Sequence, residues 1–186
     1  MKAGLLLFSL FLALTTASQS DEQDAKQAYE RSIQEYAEGK VEMAMADYQR
    51  APKSDPGVAR DPKSVTEFIL RGLIRQNEGN LAGSLSDFDS AIKLDPKFAR
   101  AYLNRGNVKT SLGDLDGAMA DYNRALELDP KNAKGYNIRG NAKAGKGHVD
   151  AAIADFNRAL ELDPKNANAR KFRKLTEECA KERKGE

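Results

Sequence analysis

The sequence predicts an all-α fold, an α-solenoid of antiparallel helix pairs stacked side by side and closed by a C-terminal capping helix. Three observations predict it. Asp95-Pro96, Asp129-Pro130 and Asp163-Pro164 recur every 34 residues. Gly79, Gly113 and Gly147 keep the same interval, as do Arg71-Gly72, Arg105-Gly106 and Arg139-Gly140. Between these marks, small and apolar residues fall at helical spacing. A fixed period of this length signals supersecondary units that must stack to bury their apolar faces.

The first twenty residues stand apart from this pattern. Lys2 is their only charge, and Leu5, Leu6, Leu7, Phe8, Leu10, Phe11, Leu12 and Leu14 form an apolar run. Thr15 and Ala17 follow as small residues suited to a cleavage site near 17–20. Positive start, short apolar core and small-residue exit make a secretory signal. The core is too short to cross a hydrocarbon layer of ~30 Å as a helix. We therefore expect an exported chain, periplasmic before secreted or signal-anchored, with no integral membrane span once the leader is removed.

Four copies follow. The first, worn copy spans 21–58 and carries Gly39, Ala44, Asp47, Tyr48, Ala51, Asp55 and Pro56. Residues 59–64 read as an inserted loop. Ser64 and Glu67 then form a capping-box pattern, and the later copies run 65–98, 99–132 and 133–166. In the copy at 99–132, Ala101, Tyr102, Arg105 and Gly106 mark a first helix. Gly113 supplies the turn, and Ala118, Tyr122 and Ala125 mark a second helix that stops before Asp129-Pro130. Gly106 and Ala118 remove side-chain bulk where the two helices cross. In the last segment, 167–186, Ala169, Phe172, Leu175 and Cys179 share roughly one helical face among charges. We read it as a capping helix with a charged tail, its apolar face, Cys179 included, turned under the cap.

These residues resemble the tetratricopeptide repeat. That family carries an aromatic at position 4, Gly at 8, Ala at 20, an aromatic at 24, Ala at 27 and Pro at 32. Tyr102, Gly106, Ala118, Tyr122, Ala125 and Pro130 fit in full, as do Tyr136, Gly140, Ala152, Phe156, Ala159 and Pro164. Phe68, Gly72, Phe88, Ala91 and Pro96 fit with Ser84 in place of Ala. The first copy departs, with Ala28 and Ser32 at the aromatic and Gly positions. The resemblance implies a right-handed superhelix whose first helices line a binding groove.

Composition bounds the chemistry. The 186 residues are 31% charged and 40% hydrophobic. Removing Lys2 leaves 29 basic residues against 28 acidic ones, a net charge of +1. That balance argues against nucleic acid as partner. One His and one Cys cannot build a metal site by themselves. His148 sits at a repeat turn where the matching positions hold Asn80 and Asp114, which marks a polar turn residue. No cofactor loop and no convergent catalytic set emerges, so we expect neither cofactor, metal nor enzyme activity. Seven Lys or Arg and four Asp or Glu in 170–186 would allow attachment to an anionic polymer or envelope surface, but the mixed signs favour a solvated helix.

The resemblance places groove positions residue by residue. In the first copy they are Lys26, Tyr29, Ile33 and Tyr36; in the second, Ile69, Leu70, Leu73 and Asn77. The third offers Arg100, Leu103, Asn104 and Asn107, and the fourth Lys134, Asn137, Ile138 and Asn141. Asn both donates to and accepts from a peptide backbone. The expected partner is a protein or extended peptide; nothing in the sequence indicates a homo-oligomer. Chaperone adaptors of this family clamp a C-terminal carboxylate with Lys, Asn, Asn, Lys and Arg. Asn104 and Lys134 match, whereas Ile69, Leu73 and Ile138 do not. Finally, Arg31, Arg71, Arg105 and Arg139 all stand at position 7, and Asp47, Asp87, Asp121 and Asp155 all stand at position 23. This predicts a ladder of Arg–Asp pairs.

Overall fold

A computed structural model describes residues 23–54 and 63–184, and these are helical with no strand among them. The apolar leader and most of the inserted loop lie outside the described residues. In chain order the helices are α1 (23–37), α2 (Val41–Ser54), α3 (Val65–Asn77), α4 (Leu81–Leu94), α5 (Ala99–Ser111), α6 (Leu115–Leu128), α7 (Ala133–Gly145), α8 (Val149–Leu162) and α9 (Ala167–Lys184). The chain forms two compact units, one ending at Gly79 and the other starting at Asn80.

Local chemistry sets the helix ends. Gly113 takes φ 81°, in the left-handed region that an L side chain resists, and lets α5 reverse into α6. The side chains of Asn80, Asp114 and Asn132 accept the backbone N–H three residues on, at Gly83, Gly117 and Gly135. Each satisfies an orphan donor of the first turn. His148 holds the same place before α8 but makes no such bond. Ser64 and Glu67 do cap α3: the Glu67 N–H donates to Ser64 Oγ at 3.3 Å, and the Glu67 carboxylate accepts from the Lys63 N–H at 2.5 Å.

In the second unit the helix pairs pack antiparallel. A Cβ at Gly106 would stand 2.5 Å from Tyr122 Cε1, and one at Gly140 would stand 2.7 Å from Phe156 Cε1. Only Gly admits the ring that closely. Ala118, Ala125, Ala152 and Ala159 are buried on the facing helices. Leu103, Ala118, Tyr122, Ala125 and Ala142 form one core cluster, with Tyr102, Met119 and Ile138 packed on its edge. It joins α5, α6 and α7, so neighbouring pairs share one core; each large side chain buried there contributes about 1.5–3 kcal/mol. The stacked rings of Phe156 and Phe172, 6.4 Å apart, carry the core on to α9.

In the first unit, Ala25, Ala28 and Tyr36 of α1, Ala44, Tyr48 and Ala51 of α2, and Ile69, Leu70 and Ile74 of α3 are buried. The rings of Tyr29 and Tyr48 meet at 6.0 Å.

The Arg–Asp rungs join first and second helices. Arg105 donates through Nε and Nη2 to the two carboxylate oxygens of Asp121, at 2.9 and 2.5 Å. Arg139 does the same to Asp155, at 2.8 and 2.7 Å. Arg31 pairs with Asp47. Two further contacts were not foreseen. Lys109 and Lys143, four residues after each Arg, reach Asp121 and Asp155 at 2.8 Å. The remaining Arg nitrogen crosses to the preceding repeat: Arg105 Nη1 to Asp89 at 2.7 Å and Arg139 Nη1 to Asn123 at 2.9 Å. A rung therefore fixes both the pair and the stack.

The last helix continues this beat. Arg173 lies 34 residues after Arg139, and its Nη1 donates to Asn157 Oδ1 at 2.9 Å. At the next position, where Gly106 and Gly140 admit a ring, stands Lys174, its side chain 77% exposed. A charged side chain there closes the face on which a further helix would pack, which is how α9 caps the stack. The expectation that its apolar residues turn inward needs correction. Ala169 is buried, but Leu175 is 45% exposed and Cys179 is exposed. They fall beside the inner stripe of α9, in which Ala169 is buried and Phe172, Arg173 and Thr176 are half-buried.

Candidate functional site

The structure brings four of the expected groove residues together. Lys134, Asn137, Ile138 and Asn141, one stripe of α7, line a groove of about 510 Å³. Its other wall is the start of α9 and the turn before it, with Asn166, Asn168 and Phe172. A second groove of about 480 Å³ lies beside the first, bounded by Ala144, Val149, Leu175, Thr176 and Cys179. The two share Asn141 and Phe172, so they form one strip between α7 and α9. One half is rich in amides; the other is apolar.

The helices dictate this division. Positions 2, 5, 6 and 9 of α7 fall on one face at 3.6-residue spacing. Lys134 is exposed at the mouth, Asn141 is half-buried, and Asn137 is 8% exposed. The Asn137 Oδ1 has no hydrogen-bond partner, nor has the Asn104 Nδ2 on α5; both are shut off from solvent. Asn137 lines the amide half, whereas Asn104 borders neither groove. Asp163 is the one carboxylate and Lys134 the one cation bordering the amide half.

Other expected groove residues do different work. Ile69 and Leu70 are fully buried core residues of α3, and Leu103 is 5% exposed within the cluster that holds Tyr122. Their apolar side chains are held by packing and are not offered to a ligand. Leu73 is half-buried and Arg100 exposed; neither borders the strip. Asn107 accepts a hydrogen bond from the Tyr122 hydroxyl at 3.0 Å, and Thr110 shares that hydroxyl at 2.9 Å. Burial holds the Tyr122 hydroxyl above its ordinary pKa, against the Thr110 hydrogen bond that lowers it. Asn107 thus serves the helix crossing. Conversely, the sequence reading missed Asn168 and the lining role of Phe172, Leu175 and Cys179. The signal was present: the beat that puts Arg173 at position 7 also puts Asn168, Phe172, Leu175 and Cys179 at positions 2, 6, 9 and 13.

Among the described residues, no group of three His, Cys, Asp or Glu side chains is placed to hold a metal. No described helix is long and apolar enough to cross a membrane. What the strip offers chemically is hydrogen bonding and apolar contact.

Helix pairs joined by Gly turns, with an aromatic ring of the second helix seated on a Gly of the first, define a class of helical repeat. Comparison identifies the repeat. Residues 106–147 match the family model described as TPR repeat, and residues 133–166 match the tetratricopeptide repeat model. Residues 106–166 are therefore similar to tetratricopeptide repeats. Two solved structures are similar. One is the first TPR of Spaghetti (RPAP3), bound to the HSP90 peptide SRMEEVD; it is 22% identical, with 64% of this chain and 95% of that chain covered and a TM-score of 0.61. The other is the TPR domain of Arabidopsis OM64, 28% identical over 62% of this chain and 95% of that one, with a TM-score of 0.60. No curated protein matches the chain.

Proposed function

We propose that the chain is an exported scaffold that holds an extended segment of a protein partner in the α7–α9 strip. The observation that carries this reading is the strip itself: a cation and amides at one end, and an apolar bay at the other, sharing Asn141 and Phe172. An extended segment presents main-chain groups and side chains in alternation, and such a strip can meet both. The Spaghetti domain, similar in fold, is bound to a peptide of HSP90. This chain keeps only Asn104 and Lys134 of the carboxylate clamp that chaperone adaptors use, so its partner is recognised along the segment rather than by a clamped terminus. The apolar run at 5–14, outside the described residues, supports export.

The binding test uses residues that do not hold the core. Lys134→Ala, Asn141→Ala and Asn168→Ala together remove polar contacts worth about 0.5–1.5 kcal/mol each. Capture of partners from envelope extract, quantified by mass spectrometry, is expected to fall at least tenfold, with helicity and melting temperature unchanged. Equal capture by the folded triple variant would move the site off this strip. Export is checked separately: N-terminal sequencing of protein recovered outside the cytoplasm should begin near residue 18–21, and retention of Met1 in the cytoplasm would refute it.

A further inference from the structure

Asn137 occupies a place that the two preceding repeats give to the core. Position 5 of the first helix is Ile69 in the second copy and Leu103 in the third, and both are buried. In the fourth copy it is Asn137, and it is buried as well. An aliphatic side chain needs no partner there. An amide does, and the Asn137 Oδ1, shut off from solvent, has no hydrogen bond. A buried acceptor without a donor destabilises a fold. A residue that departs from its own repeat at such a cost is expected where the chain has a task other than packing.

The lining of the groove narrows the missing donor. Asn137 borders the amide half, where Lys134 and Asp163 balance in charge and the other polar side chains are the amides of Asn141, Asn166 and Asn168. A neutral donor suits a site of balanced charge. On an extended segment that donor is an amide N–H, carried by the main chain or by an Asn or Gln side chain.

On the reading that the strip holds an extended segment, we propose that Asn137 sets the specificity and register of that segment, its Oδ1 accepting an amide N–H from the partner. Asn137 and Ala144, which borders the apolar bay, both lie on α7. The rise of the helix between them is ~10 Å, which an extended chain covers in about three residues. The bound amide therefore stands about three residues from the side chain that fills the bay. Where the main chain supplies the N–H, proline is excluded at that residue, because it has none.

Linear peptides selected on the full chain from a random phage-displayed library supply the probe. A selected peptide is titrated against the unaltered chain and against Asn137→Leu, the residue that the third copy carries at this position. Asn137→Leu is expected to melt higher, since it removes the orphaned acceptor. It is also expected to bind the peptide about tenfold more weakly, since the partner's N–H is then buried without an acceptor. The main-chain N–H groups of the peptide are next replaced one at a time by N-methyl, and any Asn or Gln by Leu. One replacement should cost about tenfold on the unaltered chain and less than about twofold on Asn137→Leu. Its place in the peptide tells a main-chain donor from a side-chain one. Should Asn137→Leu lose its helices, Asn137→Ala takes its place in the same scan. Binding that the Lys134→Ala/Asn141→Ala/Asn168→Ala variant leaves unchanged would put the peptide outside the strip and overturn the underlying reading, and this proposal with it. Binding that the triple variant weakens and Asn137→Leu does not overturns this proposal alone. So does a scan in which every replacement costs the same on both chains.

Discussion

The first helix pair and the third use the same two residues at the same two places, and the outcome differs. In α1 and α2, Arg31 meets Asp47 through Nε, and the Arg side chain is 50% exposed. In α5 and α6, Arg105 grips both oxygens of Asp121, whose side chain is 5% exposed, and Lys109 and Asp89 complete the network. The hydrogen bond that Arg105 donates to Asp121, opposed by burial, holds the guanidinium well above its ordinary pKa. A periodic sequence repeats a contact, but burial and the number of partners decide what the contact is worth.

The sharpest way to break this comparison is to remove the Asp from each pair. Asp121→Ala leaves Arg105 and Lys109 facing a vacated, nearly buried position, a change that costs about 3–5 kcal/mol. Asp47→Ala removes a half-exposed pair and should cost about 0–1 kcal/mol. Urea unfolding of both variants measures the contrast. Equal losses would mean that burial does not separate the two rungs.

A smaller effect is expected at the helix crossings. Gly106→Ala drives a methyl into the Tyr122 ring, and overpacking of this kind costs about 1–3 kcal/mol. The better helix propensity of Ala returns up to about 1 kcal/mol. A net loss of roughly 1–2 kcal/mol should remain. At the matching place in the first pair stands Ser32, already with a Cβ, its hydroxyl donating to the Tyr29 carbonyl of its own helix at 2.6 Å. Ser32→Ala should change stability by less than about 0.5 kcal/mol, since the lost bond and the gained propensity oppose each other. Thermal melts of the two variants would show whether α1 and α2 pack with the looser crossing that Ser32 implies.

Much of the repeat was legible in the sequence because its markers have strict mechanical causes. A positive φ at Gly113, a ring on Gly106 and an extended Asp95 before Pro96 each admit few residue types, so each leaves a trace every 34 residues. The Arg and Asp of the ladder were legible for the same reason. Lys109 and Lys143 were not singled out, because Lys is common on wet helix faces and only the fold shows which carboxylate it reaches. The groove was less legible. Ile69, Leu70 and Leu103 occupy groove positions by count, but apolar side chains beside a core are drawn into it. Asn168, Leu175 and Cys179 went unnoticed as a lining because the apolar face of α9 was assigned to the cap. A helix at the end of a stack has two partners for its apolar residues, the core and the groove, and spacing alone does not apportion them.

The smallest expected effect concerns how the first unit is tied at the start of α3, where the second uses Asp rungs. Tyr29 of α1 and Glu67 of α3 share a hydrogen bond, the phenol donating to the carboxylate. Burial first, then that bond, holds Tyr29 above its ordinary pKa. For Glu67, burial alone would raise the pKa, but the hydrogen bonds from Tyr29, Lys63 and Ser64 outweigh it and leave it below the usual 4.5. A carboxylate with a depressed folded-state pKa stabilises the fold fully above its unfolded value, and that stabilisation fades as pH falls through the folded value. Glu67→Gln keeps the shape and removes the charge. Its melting temperature should lie below that of the unaltered chain at pH 7, and the gap should narrow once the pH drops below 4.5. A gap of constant size from neutral to acid would assign the loss to shape alone, and the first unit would then be held without any contribution from this ionised bridge.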